Sequence, residues 1–283
     1  TQAFDSLYQC GISLKRDQTP EDLFKDVSLP GSSFEISYRL LEDDPNSSRL
    51  FYGLQDEERK ININALGSQD YKILGLLLSQ LGVEEETAEA IAATVVDWHD
   101  SDSQMTSSPE AQEECSQGTP SYPCKNLPFD SIDELLLIKG ISPEIFDRLE
   151  GFVTVFPPKP PGIRVNIQTA SSPVIHALAL SLSGPLTNTG PEDAEALARK
   201  IIFYRFGPDG QEATSDDRWV DLNELGLNAK EQTIFLAMER YLTDVSGYLR
   251  IEAEGRDAAS GAELTIEAVV SREDSSLVAW ESH

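Results

Sequence analysis

The chain has 283 residues, with 22 Lys and Arg against 49 Asp and Glu, a formal net charge of −27. That acidic excess excludes a general electrostatic affinity for nucleic acid or an anionic membrane face, because both are polyanions, and it suits a surface that holds divalent cations. A hydrophobic fraction of 40% with 25% charged residues belongs to a folded globular chain, and the length suits roughly two domains at about 150 residues each.

Residues 1 to about 16 read as a helix with Phe4, Leu7, Tyr8 and Leu14 on one stripe, and Pro20 begins a short helical turn. Ser33 to Leu41 alternates, with Phe34, Ile36, Tyr38 and Leu40 on one face, which predicts a half-buried strand. After a turn at Glu42 to Ser47, Leu50 to Leu54 completes a hairpin. From Ala65 the period becomes helical: Tyr71, Leu74, Leu77, Leu78 and Leu81 fit one helix, and Glu84 to Trp98 a second with Ala88, Ile91, Ala92, Val95 and Val96 inward. A long polar loop follows from Asp97 to Pro128. Asp130 to Lys139 and Pro143 to Leu149 read as two short helices. The longest apolar run, Ile73 to Leu78, is interrupted by Gly75 and falls far short of the roughly 18 residues of a membrane span.

The middle of the chain repeats itself. Ile61-Asn62-Ile63-Asn64-Ala65 is echoed by Val165-Asn166-Ile167-Gln168-Thr169, each followed by a Leu-rich helix and an acidic, Ala-rich helix. Each unit continues into an acidic loop, then an Asp/Glu-Leu helix at Asp133 to Leu135 or Asn223 to Leu225. Phe152-Val153-Thr154-Val155 compares with Tyr241-Leu242-Thr243-Asp244. The common order predicts an internal duplication of a helical unit. Tyr248 to Ala253 and Ala262 to Val270 then alternate as a hairpin, with Leu277 to Trp280 as an edge strand. Strands at both ends and helices between predict an α+β domain, residues 1–62 and 244–283, with a helical insertion over residues 63–243.

Two acidic loops are candidate cation sites. Asp97-Trp98-His99-Asp100-Ser101-Asp102 sets carboxylates at alternate positions where a helix ends, and Glu110, Glu113, Glu114 and Asn126 follow. Hard oxygen donors of this kind suit calcium, and an acidic helix C-terminus opposes the helix dipole unless a cation offsets it. The weaker candidate is Asp209, Glu212, Asp216 and Asp217, around an Asp-Gly turn. Cys115 and Cys124 flank a Gly/Pro-rich loop at an offset that suits a disulfide and an oxidising compartment; two free thiols or a metal pair are the alternatives, with no His or further Cys at zinc spacing. Ile132 to Glu144, with Lys139-Gly140-Ile141 at its turn, resembles a helix-hairpin-helix, but Lys139 and Arg148 stand among six carboxylates, which favours a scaffolding role. No nucleophile elbow, P-loop, dinucleotide fingerprint or zinc-protease motif occurs, so nothing points to an enzyme.

In order, Asp56 to Asn64, Asp97 to Asp102, Tyr122-Pro123-Cys124-Lys125-Asn126, Asp133-Glu134-Leu135 with Lys139-Gly140-Ile141, and Val165 to Ala170 resemble the minor pseudopilin K family of type II secretion systems. The resemblance implies a pilin-like fold, an N-terminal helix on an antiparallel sheet with a large helical domain inserted between strands. It implies a non-enzymatic subunit at the tip of a periplasmic pseudopilus, beside minor pseudopilins of the I and J types. The full-length protein would be anchored in the inner membrane before assembly by an N-terminal helix absent here, leaving a periplasmic part with no nucleic-acid partner. It also implies calcium in the inserted domain: Asp100 and Asp102 match best, and Glu114 and Asn126 lie farther along the loop. Phe4, Leu7 and Tyr8 become a candidate partner surface. A competing expectation is a periplasmic helix-hairpin-helix DNA-binding protein of a DNA-uptake system, which the charge opposes.

Overall fold

The computed structural model describes residues 20–39, 50–102, 104–106, 108–112, 115, 123–210 and 216–283. The expected N-terminal helix with Phe4, Leu7 and Tyr8, and the turn at Glu42 to Ser47, lie outside the described residues. In chain order, α1 (Pro20–Phe24) leads into β1 (Val27–Leu29), β2 (Ser32–Arg39), β3 (Leu50–Tyr52) and β4 (Gln55–Asp56). A 3-10 turn, Glu57–Arg59, precedes β5 (Ile61–Asn62), α2 (Lys72–Gln80) and α3 (Glu85–His99). Then come β6 (Gln104–Met105), β7 (Ser108–Gln112), a 3-10 helix (Ile132–Leu137), α4 (Pro143–Leu149), β8 (Val153–Thr154) and β9 (Val165–Asn166). Helices α5 (Ser172–Ser181), α6 (Pro191–Phe206) and α7 (Ala229–Met238) lead to β10 (Leu242–Thr243), β11 (Tyr248–Asp257), β12 (Glu263–Ser271) and β13 (Leu277–Ser282). Among these residues no helix is long and apolar enough to cross a membrane.

Two compact units result: Thr1–Glu57 with Phe203–Val220 and Asp244–His283, and Glu58–Ile202 with Asp221–Thr243. This division differs from the boundaries read in the sequence at residues 58–62 and 203–220. Ile61 and Asn62 pair in parallel with Val153 and Thr154, which ties them to the helical unit. The 203–220 segment doubles back on itself, Arg218 N–H donating to the Arg205 carbonyl at 2.8 Å.

The first unit is built on an antiparallel sheet ordered β1-β2-β11-β12-β13, with β3 on β2 and β4 on β11. Its alternating sequence sets the faces, because neighbouring residues in a strand point to opposite sides. Phe34 and Ile36 stand opposite Gly255 and Ala253, and Ile251 opposite Ala268, so these share the apolar face. Glu35, Glu252, Glu254 and Glu267 share the other. There Arg250 bridges the fully buried Glu57 and, at 2.9 Å, Glu267, so the buried carboxylate is paired.

In the helical unit α2 packs on α3 and α5. A Cβ at Gly75 of α2 would sit 3.4 Å from Glu89 Cα and 3.6 Å from Ala92 Cβ, so the small residue lets the two helices approach closely. Leu74, Leu77, Leu78, Ile91, Val95, Leu135 and Ile138 form a core with almost no exposure. Two stretches close in the same way. β5 pairs in parallel with β8, and β9 pairs in parallel with β10. In each, the strand Asn holds the backbone two residues on: Asn62 Oδ1 accepts from Asn64 N–H at 2.9 Å, and Asn166 Oδ1 from Gln168 N–H at 3.0 Å.

Two local expectations are corrected. The polar segment after Asp97 is not all loop, since β6 and β7 form a small antiparallel hairpin inside it. Asn223 to Leu225 is a turn rather than a helix; Asp221 Oδ1 accepts from Asn223 N–H at 2.9 Å, an Asx contact that competes with helix formation.

Candidate metal centre

The centre forms where α3 ends. The helix is started by Glu84, whose carboxylate accepts from Thr87 N–H at 3.0 Å and Glu86 N–H at 3.2 Å; those bonds hold its carboxyl below the ordinary value. The apolar stripe through Ala88, Ile91, Ala92 and Val95 carries the helix into the core and delivers its last turn, Asp97 to Asp100, to the same place. Asp97 is almost fully buried, and its Oδ1 accepts from Thr106 N–H at 2.6 Å. Burial, opposed by that bond, pushes its carboxyl upward. Asp100 is the C-cap, its N–H on the Val96 carbonyl. Burial first, then the charge of Asp102, pushes its carboxyl upward.

The chain beyond the disulfide completes the centre. Cys115 and Cys124 are bonded, with Cα atoms 5.3 Å apart. Two residues on, Asn126 takes a left-handed backbone (φ 51°), donates its N–H to the Trp98 carbonyl at 2.8 Å and its Nδ2 to the Asp102 carbonyl at 3.1 Å. Asn126 is thus tied to both ends of the Trp98–Asp102 turn. Trp98 Nε1 donates to Glu134 at 3.1 Å, and Lys125 joins Glu134 at 2.8 Å, bracing the same turn from behind.

The observation that bears on a metal is a pair of orphaned oxygens. Asp100 Oδ1 and Asn126 Oδ1 are buried and accept no hydrogen bond. Buried acceptors are rarely left so, and a carboxylate and an amide oxygen are the hard donors that calcium takes. Asp102 contributes a carboxylate whose Oδ1 accepts from Gln104 N–H at 2.8 Å. Glu114 lies outside the described residues, and among those described no group of three or more His, Cys, Asp or Glu side chains gathers as metal ligands. The donors therefore fit calcium in kind. Asp97, the first carboxylate of the acidic motif, lies one turn before Asp100 and is held by the Thr106 N–H.

The second loop is arranged differently. Asp216 Oδ2 accepts from Asp209 N–H at 3.2 Å, and a Cβ at Gly207 (φ 69°) would meet the Asp216 carbonyl at 2.4 Å. The loop is closed by its own carboxylate around an obligatory glycine. Asp217 is buried, Asp209 is exposed, and Glu212 lies outside the described residues.

At the Lys139-Gly140-Ile141 hairpin the first two residues are exposed and Ile141 is buried, and its backbone N–H groups are drawn into the fold. Lys139 N–H donates to the Cys115 carbonyl at 2.8 Å and Ile141 N–H to the Ile138 carbonyl at 3.2 Å. A Cβ at Gly140 (φ 95°) would meet Ile91 at 2.9 Å. The N–H groups that a helix-hairpin-helix would present to phosphate are used inside the fold, so the DNA-binding alternative finds no support here.

An antiparallel-sheet unit with a helical unit, whose longest early helix ends in an acidic turn, defines a mixed α and β protein. Residues 59–158, which include the whole centre, match the family model for type II secretion system (T2SS) protein K. Type II secretion system protein K of Aeromonas hydrophila is 34% identical over 125 residues, 44% of this chain and 36% of that protein. The protein K of Pectobacterium carotovorum is 31% identical over 159 residues, 54% of this chain and 48% of that protein. The chain thus spans less than half the length of these relatives. For the fold, a chain in the crystal structure of the GspK–GspI–GspJ complex from the enterotoxigenic Escherichia coli type 2 secretion system superposes with a TM-score of 0.65. It is 17% identical, and the match covers 100% of this chain and 92% of that one.

Proposed function

We propose that this chain is the periplasmic part of a structural tip subunit of a type II secretion pseudopilus. It assembles with minor pseudopilins of the I and J types and supports protein export across the outer membrane. The observation that carries this reading is the protein K match over residues 59–158, set in a fold alike from end to end to a chain of the GspK–GspI–GspJ complex. On this reading the sheet unit is a pilin-like domain, and residues 63–243 are a helical insertion built by internal duplication. The matching ladders β5–β8 and β9–β10, each with its Asn turn, favour that duplication. The subunit is not an enzyme, the whole protein is anchored in the inner membrane before assembly, and Phe4, Leu7 and Tyr8 are its candidate surface for partner pseudopilins. Co-purification with I- and J-type pseudopilins tests the assembly; a chain that elutes alone from an equimolar mixture refutes it.

The acidic turn after Trp98 binds calcium through Asp100, Asp102 and Asn126, with Glu114 as a further ligand. The Asp209, Glu212, Asp216 and Asp217 loop is a secondary candidate. A cation bound only by the folded chain stabilises it by about 2.7 kcal/mol at 100-fold excess over Kd. Thermal melts in calcium should exceed those in chelator, and the difference should vanish in Asp100→Asn; equal melts for the unsubstituted chain would sink the site.

A further inference from the structure

The sheet has two ends of unlike character. At one, β1 has three residues and runs into Pro30, a short edge of the kind proteins use to prevent strand addition. At the other, β13 has six residues, Leu277–Ser282, with no proline, lysine or glycine. Among the described residues it pairs with β12 alone. Thr265 and His283 exchange both backbone hydrogen bonds, at 3.2 and 2.9 Å. In an antiparallel pair bonded and non-bonded positions alternate, so the pairs Glu281–Glu267 and Ala279–Val269 are the inward-bonded ones. The N–H and C=O of Trp280 and Ser282 consequently point away from β12, along the open edge.

The side chains at this edge are sorted by face. Trp280 stands opposite Ala268 and Leu277 opposite Val270, with Leu264 on the same face. These three are 59%, 57% and 49% exposed, large and apolar, and spread along one face of the β12–β13 edge. On the opposite face Glu281 stands opposite Glu267, which stands opposite Glu252. Like charges directly opposed across strands are unfavourable. Arg250 offsets Glu267, while Glu281 is 75% exposed and has His283 at 3.9 Å as its neighbour. The edge therefore offers three things together: free backbone valence, an apolar face and an anionic face.

We propose that the β13 edge docks an extended segment of another protein by strand addition, a segment that alternates apolar residues with lysine or arginine. Backbone bonds to Trp280 and Ser282 supply the pairing, and the alternation supplies specificity. The apolar residues of the incoming strand cover Trp280 and Leu277, and its cations lie beside Glu281. This goes beyond the assembly reading and does not depend on it.

The test uses the whole chain and three capped synthetic peptides of one length. One alternates Lys with Val, one has the same composition in two blocks, and one alternates Glu with Val. Backbone amide exchange is read at residue resolution. The alternating Lys peptide should slow exchange at Trp280 and Ser282 by about tenfold or more, and the other two should not. Trp280→Thr should weaken that peptide without altering the far-ultraviolet spectrum. Glu281→Lys should weaken it as well and gain the Glu-Val peptide. No protection at these two amides, or equal protection by the block peptide, overturns the proposal. So does a dimer of the chain alone that Trp280→Thr dissociates, because the occupant is then a second copy.

Discussion

Glu134 shows how much one side chain contributes to the end of α3. Burial works to raise its carboxyl, but Lys125, the Asp130 N–H and the Trp98 indole together outweigh it and hold the group below its ordinary value. A depressed carboxylate contributes stability that is present above the unfolded value and lost as pH falls through the folded one. Glu134→Gln keeps the shape and removes the charge. Its expected cost is about 1–2 kcal/mol at neutral pH, and it shrinks at an acid pH below the folded value, where the wild-type carboxylate is protonated. Urea melts of both proteins at the two pH values check this, and a constant difference would show that the charge is not what matters. In the sequence, Asp100 and Asp102 were legible as candidate donors because alternate carboxylates at a helix end are unusual. The burial of Asp97 was not, since its carboxylate is met by Thr106 from the β6–β7 hairpin, nine residues on, a contact that no local period encodes.

At the scale of elements, what could be read was what has a period. The 3.6-residue stripe in Glu84 to Trp98 announces its helix within one residue of each end, and the alternation in Tyr248 to Ala253 announces a strand that starts there and runs four residues farther. The two-residue ladders β5–β8 and β9–β10 have no period to read, and the hairpin β6–β7 lies in a polar stretch without alternating apolar residues. The faces of the long strands were readable, but their consequence for charge emerges only with register. Glu252 lies directly opposite Glu267, and burial, then Glu267 and Glu254, raises its carboxyl. The folded chain therefore holds that proton more tightly than the unfolded chain. Stability falls as pH rises from the ordinary glutamate value, about 4.3, through the raised one. Glu252→Gln removes this penalty. The variant should melt with the wild type at about pH 4 and above it at pH 7. A variant that melts below the wild type at pH 7 would mean that Glu252 is held by favourable partners instead.

For the whole molecule, the proportion of helical unit to sheet unit bears on assembly. A pilin-type filament grows by repeating one head-to-tail contact, and such a heterologous contact continues only if each copy accepts an identical copy beyond it. The helical unit, residues 58–202 and 221–243, is well over half of the chain. A repeating subunit must fit that mass beneath an identical neighbour at every step, whereas a terminal subunit has no neighbour above and needs only contacts sideways and below. The net charge of −27 adds a second obstacle to self-stacking, since like-charged copies repel at short range when screening is weak. Both arguments favour one copy at the end of a filament over many along it. The chain alone should sediment as a monomer at low and at physiological salt, and with I- and J-type partners it should form a complex containing one copy of each. Regular fibres of the chain by itself would overturn the capping argument. So would a variant lacking the helical insertion whose sheet unit folds, by circular dichroism, and still takes only the terminal place, because bulk would then not be what confines it there.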